Sequence, residues 1–503
     1  MRYISTRGGD SGVTAREAIV RGLAKDGGLY VPETIPALDI PLKELLPLSY
    51  PELAKALLRP YLNFSEDELA ACAEKAYASG RFTHPDIAPL VTPLKDENNI
   101  HFLELFHGPT LAFKDMALSI LPHLMKASAS AQDDMVILTA TSGDTGKAAL
   151  EAFCDVEGVS IAVFYPQDGV SNLQKRQMIT QAGNNTHVFG IIGNFDDAQM
   201  GVKKIFSNPT LASRMAQHGK IFSSANSINI GRLLPQIVYY FYAYGQLVKK
   251  GNIKLGSKIN FVVPTGNFGN ILSGYYAKRM GLPINKLICA SNDNKILYDF
   301  FRTGVYDKKR AFHYTISPSM DILVSSNLER LLFHATDAES VRSMMDSLGG
   351  QGCFETKTTA NFDDFYGVHA SEDETRQSIF KAGKNGYVMD PHTAVAYHGG
   401  QRYIAETGDN TPQVVISTAS PYKFVADVLG ALGESPKDDD TENVKLLSEK
   451  GNLPIPEAIT QLAYKTVRHT LVCPVEDMEK VVREQVLQIL QTQPTRKRST
   501  KHP

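Results

Sequence analysis

The hydrophobic and polar positions fall into two regimes along the chain. Up to about residue 92 the spacing is helical: Thr14-Ala15-Arg16-Glu17 is a capping box that predicts a helix over residues 15–24, stopped by Asp26-Gly27-Gly28. Leu29-Tyr30-Val31-Pro32 then reads as a short extended piece, and Pro85, Pro89 and Pro93 mark a boundary. Beyond it, short apolar runs at residues 101–106, 135–140, 160–165, 187–192, 258–263, 287–290 and 413–417 read as strands. Helical stretches separate them, among them residues 116–125 and 233–248. Alternation of this kind predicts parallel strands joined by right-handed helical crossovers, hence an α/β fold. Residues 294–384 break the rhythm and read as an insertion, and residues 437–442 read as a charged, solvated loop.

In such sheets ligands bind beyond the carboxyl ends of the strands, so the loops there carry the candidate chemistry. After the first run, Gly108-Pro109 breaks the strand and Lys114 follows Phe113 at a strand-to-helix junction. Apolar neighbours favour the neutral amine that a Schiff base needs, although a solvated lysine would look the same in isolation. After residues 135–140 comes Thr141-Ser142-Gly143-Asp144-Thr145-Gly146-Lys147, whose hydroxyls and free N–H groups could hold a carboxylate or phosphate, or merely cap a helix. A nucleotide-binding P-loop is excluded by spacing: two residues separate Gly143 from Gly146, and Ala148 follows the lysine.

Pro264-Thr265-Gly266-Asn267-Phe268-Gly269-Asn270 repeats the order of strand, glycine turn and helix. It lacks both the dinucleotide fingerprint and a Walker lysine, so it suits a compact phosphorylated cofactor better than a nucleotide. Asn226, Ser227 and Arg232 offer amide, hydroxyl and guanidinium groups before the 233–248 helix and suggest a second phosphate site, with helix capping as the alternative. After the last run, Ser417 and Thr418 offer hydroxyls that could bond a ring nitrogen.

Composition narrows the partners. With 52 basic against 54 acidic residues the net charge is -2, which lacks the electrostatic footprint of a nucleic-acid binder. The basic Arg496-Lys497-Arg498 is short and reads as a frayed end. Cys72, Cys154, Cys289, Cys353 and Cys473 are scattered and form no C-x-x-C pair, so neither a disulfide framework nor a metal site is indicated. The opening residues lack an apolar signal-peptide core, and the most apolar stretch, residues 237–248, is too short to span a bilayer. The expectation is a cytoplasmic protein with no membrane and no nucleic-acid partner.

Taken together, Tyr3-Ile4-Ser5-Thr6-Arg7-Gly8, H-G-P-T-L-A-F-K-D at residues 107–115, T-S-G-D-T-G at 141–146, P-T-G-N-F-G-N at 264–270 and S-P-S-M-D at 317–321 resemble the threonine synthase family. These are pyridoxal-phosphate enzymes of fold type II, and the likeness covers nearly the whole chain. It implies two open parallel-sheet α/β domains plus a mostly helical N-terminal region: residues 1–92; residues 93–134 with 225–503 as the large cofactor-binding domain; and residues 135–224 as the small one. It also implies that Lys114 is the catalytic and coenzyme-linking lysine, that Gly266, Asn267, Phe268, Gly269 and Asn270 cradle the pyridoxal 5'-phosphate phosphate, and that Thr418, with Ser417 as second choice, faces the pyridine nitrogen. Ser142, Gly143, Asp144 and Thr145 map to the substrate carboxylate, and Asn226, Ser227 and Arg232 to the substrate phosphate. The implied reaction converts O-phospho-L-homoserine and water to L-threonine and phosphate, in a monomer or homodimer without a metal. The alternatives are a fold type II phospholyase, a serine or threonine dehydratase, or a non-catalytic sensor that binds the same coenzyme. Two departures stand out: Ser420 replaces the histidine of the family's S-T-A-H-P, and Asp144 stands where many fold type II enzymes carry asparagine.

Overall fold

The structure, a computed structural model, describes residues 1–77, 80–130, 134–141, 143–356 and 362–486. The chain divides into two compact units, Met1–Ser130 with Ser224–Lys465, and Ala131–Ser223 with Thr466–Pro503. Each is built on its own sheet.

In the first unit the sheet has six strands in the order Phe365–His369, Ile284–Ser291, Ile259–Pro264, Gln413–Ser417, Ile100–Glu104, Leu90–Val91. All pairings are parallel except that of Leu90–Val91, which runs antiparallel along one edge. The central strands Ile259–Pro264 and Gln413–Ser417 are buried at every position, as expected of parallel strands covered on both faces. The N-terminal residues add four helices and a three-stranded antiparallel sheet ordered Val13–Thr14, Arg2–Ser5, Tyr30–Pro32. They are tied down by Glu329, whose carboxylate accepts two guanidinium bonds from Arg7 at 2.9 Å each and the Thr6 hydroxyl at 2.6 Å.

The second unit holds a five-stranded parallel sheet ordered Val472–Pro474, Thr186–Ile192, Val159–Pro166, Asp134–Ala140, Lys220–Ser223. Its core includes Leu138, Phe164, Phe189, Ile191, Val202, Met478 and Val482.

Every predicted strand is present and the α/β class holds, with informative differences elsewhere. The large domain does not run to the end of the chain: Val472–Pro474 pairs in parallel with Thr186–Ile192, and Met478 and Val482 enter the second unit's core. Residues 294–384 are no detached insertion, because Phe365–His369 forms an edge strand of the main sheet. The first helix spans only Ala15–Arg21, since Gly22 takes a left-handed φ of 70° before the predicted stop. Pro122 and Pro235 divide the other two predicted helices into Lys114–Leu118 and Leu121–Ser128, and into Ile230–Leu233, a 3-10 turn Leu234–Gln236 and Ile237–Lys249. The charged loop ends early, since Asp439 caps a helix Asp440–Gly451. Residues 496–498 lie outside the described residues. Among the described residues, no helix is long and apolar enough to cross a membrane, and no cluster of His, Cys, Asp or Glu could hold a metal ion.

The Gly269–Met280 helix sits so close to the Ile237–Lys249 helix and to the sheet that a Cβ on Gly274 would lie 2.8 Å from Tyr240 of the first and 2.9 Å from Leu287 of the second. Gly274→Ala should therefore destabilise the protein by roughly 1–3 kcal/mol through overpacking, read as a lower denaturation midpoint; an unchanged midpoint would contradict this packing.

Candidate coenzyme site

Lys114 is the first residue of the Lys114–Leu118 helix, and its position is set by backbone pairing rather than by its own side chain. In the parallel ladder Glu104 is opposite Ser417, and the pairing continues past the strand ends. The N–H of Leu105 donates to Ser417 O at 3.0 Å, that of Phe113 to Thr418 O at 2.7 Å, and that of Ser420 to Leu111 O at 3.0 Å. Ala112 and Ala419 form an antiparallel bridge between the two loops. Leu111 takes a left-handed φ of 60°, which turns the chain into the helix. Asp115 accepts the Thr110 N–H at 2.8 Å and the Thr110 hydroxyl at 2.6 Å, and the buried Lys423 ammonium donates to Thr110 O at 3.1 Å. The half-buried Lys114 ammonium stands 5.0 Å from the centre of the Phe113 ring.

Residues 417 and 418 are thereby brought beside the lysine strap. Ser417 Oγ lies 3.4 Å from the Tyr387 hydroxyl, which itself donates to Glu104 at 3.1 Å. Thr418 is buried, and its carbonyl is committed to the Phe113 N–H. Ser420, in the histidine's place, caps the 3-10 turn Pro421–Phe424.

The glycine turn follows the neighbouring strand Ile259–Pro264. Phe268 is left-handed, with φ 63°, and caps the N-terminus of the Gly269–Met280 helix, where free N–H groups and the helix dipole favour an anion. Asn270 is held by its carbonyl end: Oδ1 accepts the Tyr239 hydroxyl at 2.7 Å and the Tyr240 hydroxyl at 2.8 Å. Burial pushes both phenols well above their ordinary range, so they act as fixed donors. The Asn270 Nδ2 edge is buried without a hydrogen-bond partner among the described residues.

The rest of the turn is braced from residues 317–327. Ser325 Oγ donates to Gly266 O at 2.6 Å, and Asn267 O accepts both the N–H of Asn327 at 3.1 Å and its Nδ2 at 2.9 Å. Gly266 is required by close approach, since a Cβ there would lie 2.5 Å from the Ser319 carbonyl oxygen. Ser319 is fixed in turn by His392, whose Nε2 accepts its N–H at 3.1 Å, while Nδ1 donates to the buried Asp390 at 2.6 Å. That pattern assigns a neutral imidazole protonated on Nδ1. Asp321 closes the segment by accepting from Asn292 and Asn294, with burial raising its carboxyl above the usual range.

Asn226, Ser227 and Arg232 lie in the same unit. The buried Arg232 guanidinium donates to Ala225 O at 2.9 Å, while its Nε and the Asn226 Oδ1 are buried without hydrogen-bond partners among the described residues. Burial pulls the guanidinium down to about 10, so it stays charged at neutral pH. In the second unit, Gly143, Asp144 and Thr145 open the Asp144–Phe153 helix, and Asp144 Oδ1 accepts Gln174 Nε2 at 3.0 Å. Ser142 lies outside the described residues.

The donor set of the first unit therefore fits a phosphorylated ring compound: a lysine, a buried hydroxyl and an anion-favouring helix start stand at the ends of three adjacent parallel strands. The sequence matches the family described as "Threonine synthase N terminus" over residues 2–77, "Pyridoxal-phosphate dependent enzyme" over 88–419 and "Threonine synthase, C-terminal" over 393–483. It is 39% identical over 447 residues to the threonine synthase of Pseudomonas aeruginosa, covering 87% of this chain and 92% of that protein. To the threonine synthase of Schizosaccharomyces pombe it is 38% identical over 463 residues, covering 84% and 87%. The chain belongs to the threonine synthase family. The crystal structure of pyridoxal-phosphate-bound threonine synthase from Brucella melitensis superposes with a TM-score of 0.84 at 37% identity, over 97% of this chain and 99% of that one. As a threonine synthase family member the chain is a pyridoxal-phosphate-dependent lyase.

Several residues that shape this family site went unread in the sequence. Ser319, Ser325, Asn327, His392 and the tyrosine pair 239–240 act through backbone contacts that leave no local motif. The one available signal was Asp390-Pro391-His392-Thr393, an N-cap that also presents an imidazole. Because the obstruction is backbone, Gly266→Ala should weaken coenzyme uptake at least about tenfold while the circular-dichroism spectrum stays native, as strain confined to one turn requires. Unaltered uptake in an absorbance titration would show that the turn tolerates a Cβ.

Proposed function

We propose that this chain converts O-phospho-L-homoserine and water to L-threonine and inorganic phosphate. The observation that carries the reading is that, in one unit, two anion-binding candidates each hold a buried donor with no hydrogen-bond partner among the described residues: Asn270 Nδ2 at the glycine turn, and Arg232 Nε, whose guanidinium also bonds Ala225 O beside Asn226. One anion cradle suffices for a coenzyme phosphate. A second is needed when the substrate carries a phosphate of its own.

In this reading Lys114 holds the coenzyme covalently, residues 266–270 hold its phosphate, and Thr418, with Ser417 as second choice, meets its ring nitrogen. Bound there, pyridoxal phosphate supplies the electron sink for carbanion chemistry at the substrate's α carbon. Once the substrate's amine has displaced it, the freed Lys114 amine is the base that removes protons at Cα and Cβ. Arg232, Asn226 and Ser227 hold the γ-phosphate, and the charged guanidinium stabilises the negative charge that builds on its oxygen as the Cγ–O bond breaks. Water then adds at Cβ; of the two protons taken from Cα and Cβ and the one left by water, one returns to Cα, one makes Cγ a methyl group and one goes to the departing phosphate, so threonine and phosphate account for all atoms of the two reactants. Thr418 offers a neutral hydroxyl to the ring nitrogen, so no carboxylate fixes a proton there. Residues 142–145 keep the carboxylate-binding role that the resemblance gives them.

Borohydride reduction of the purified protein should place the pyridoxyl label on Lys114, and the untreated enzyme should release threonine and phosphate in equal amounts from O-phosphohomoserine. Lys114→Ala should lower turnover by at least about a hundredfold through loss of the base alone. A label on another lysine would overturn the site, and phosphate released without threonine would make the protein a phospholyase instead.

A further inference from the structure

The two anion loops are joined by a residue that neither contains. Arg330 is wholly buried, at 0% exposure, and its planar fork reaches three separate segments. Nε donates to Tyr30 O at 3.0 Å, one terminal nitrogen to Ile228 O at 2.6 Å, and the other to Asn327 Oδ1. Ile228 follows Ser227 in the second anion loop, and the far edge of the same Asn327 amide donates to Asn267 O at 2.9 Å in the glycine turn. A single guanidinium plane thus spans from one loop to within one hydrogen bond of the other.

No carboxylate hydrogen-bonds Arg330 among the described residues. The adjacent Glu329 is committed to Arg7 and Thr6. The partners of Arg330 are two carbonyls and an amide, so its positive charge is shared among dipoles of which one, Ile228 O, belongs to the second anion loop and another, the Asn327 amide, braces the glycine turn. A lysine could not replace it, because a point charge on a flexible stem cannot meet three acceptors in one plane.

We propose that Arg330 is a positioning residue that sets the affinity of both phosphate cradles at once, through Ile228 for the substrate phosphate and through Asn327 for the coenzyme phosphate. The inference rests on the assignment of those loops under the proposed function. It makes the contribution of each contact separable: the Asn327 arm serves the coenzyme, the Ile228 arm the substrate phosphate.

The test measures two affinities on each protein, pyridoxal phosphate by absorbance titration of the stripped enzyme and inorganic phosphate by inhibition of the coenzyme-saturated enzyme. Wild type must take up coenzyme on Lys114 and be inhibited by phosphate, and failure there overturns the functional reading itself, before any variant is made. Arg330→Met should weaken both affinities at least tenfold and raise KM for the phosphorylated substrate more than it lowers kcat. Arg330→Lys should recover less than a third of the loss, since it restores charge without the fork. Asn327→Ala, which keeps the guanidinium buried, should weaken coenzyme binding at least fivefold while leaving phosphate inhibition within twofold of wild type. Arg330→Met with both affinities within twofold of wild type and only a lower melting temperature would reduce Arg330 to a structural residue. If Arg330→Met fails to fold, an Asn327→Ala enzyme with wild-type coenzyme affinity overturns the proposal by itself.

Discussion

The first unit depends most on a stretch of main-chain pairing, the parallel ladder of Ile100–Glu104 with Gln413–Ser417 and its continuation into the two loops beyond. Side chains alternate faces along a strand, so a slip of one residue would turn the whole set to the wrong side. The ladder prevents this by continuing past the sheet: Phe113 donates to Thr418 O and Ser420 to Leu111 O, which fixes Lys114 and Thr418 relative to each other before either meets a ligand. The cofactor-linking amine of the proposed mechanism is therefore positioned by peptide groups. Serine in place of the family's histidine at position 420 leaves the pairing in place, because Ser420 still contributes the N–H that it uses.

The same economy explains how residues 317–327 matter without carrying reactive groups. They supply a carbonyl wall at Ser319 and three hydrogen bonds, from Ser325 and Asn327, to the carbonyls of Gly266 and Asn267. Each such bond contributes a net 0.5–1.5 kcal/mol or so, but leaving its buried partner unsatisfied costs about 1–3 kcal/mol. A turn held by three of them at adjacent residues is far stiffer than its own sequence suggests. With its carbonyls engaged on one side, the turn keeps its N–H groups for the other.

What could be read from the sequence follows from which forces are local. Strands such as Ile259–Pro264 are continuous apolar runs and could be recognised, as could the capping box at Thr14 and the glycine turns, because their physics is contained in a few consecutive residues. Val472–Pro474 could not: it is three residues long, lies far from its partner in sequence, and becomes a strand only through pairing with Thr186–Ile192. Phe365–His369 was masked by the helical rhythm around it. In the site, Lys114, the 264–270 turn and Arg232 were recognisable as residue types in favourable contexts. Asn327, Arg330 and His392 were not, since an asparagine, an arginine and a histidine show their roles only when the backbone groups they serve, remote in sequence, are in place.

Arg232 and Arg330 raise one further point, about charge. Burial draws each down from its ordinary value to about 10. A cation whose folded-state value is lowered is disfavoured in the folded state below that value, and the penalty lifts only as pH rises through it. At neutral pH both guanidiniums are charged, so the folded protein carries the full penalty of two buried cations. An anion bound beside Arg232 would oppose its shift and, binding the folded state alone, would add stability in proportion to the logarithm of its concentration. The chain thus places one of these strained charges, Arg232, where the substrate phosphate is proposed to bind, and the other, Arg330, behind the loops that would hold both phosphates. The same burial that makes Arg232 expensive in the folded chain would make it an effective partner for phosphate, because little water would remain to screen the attraction.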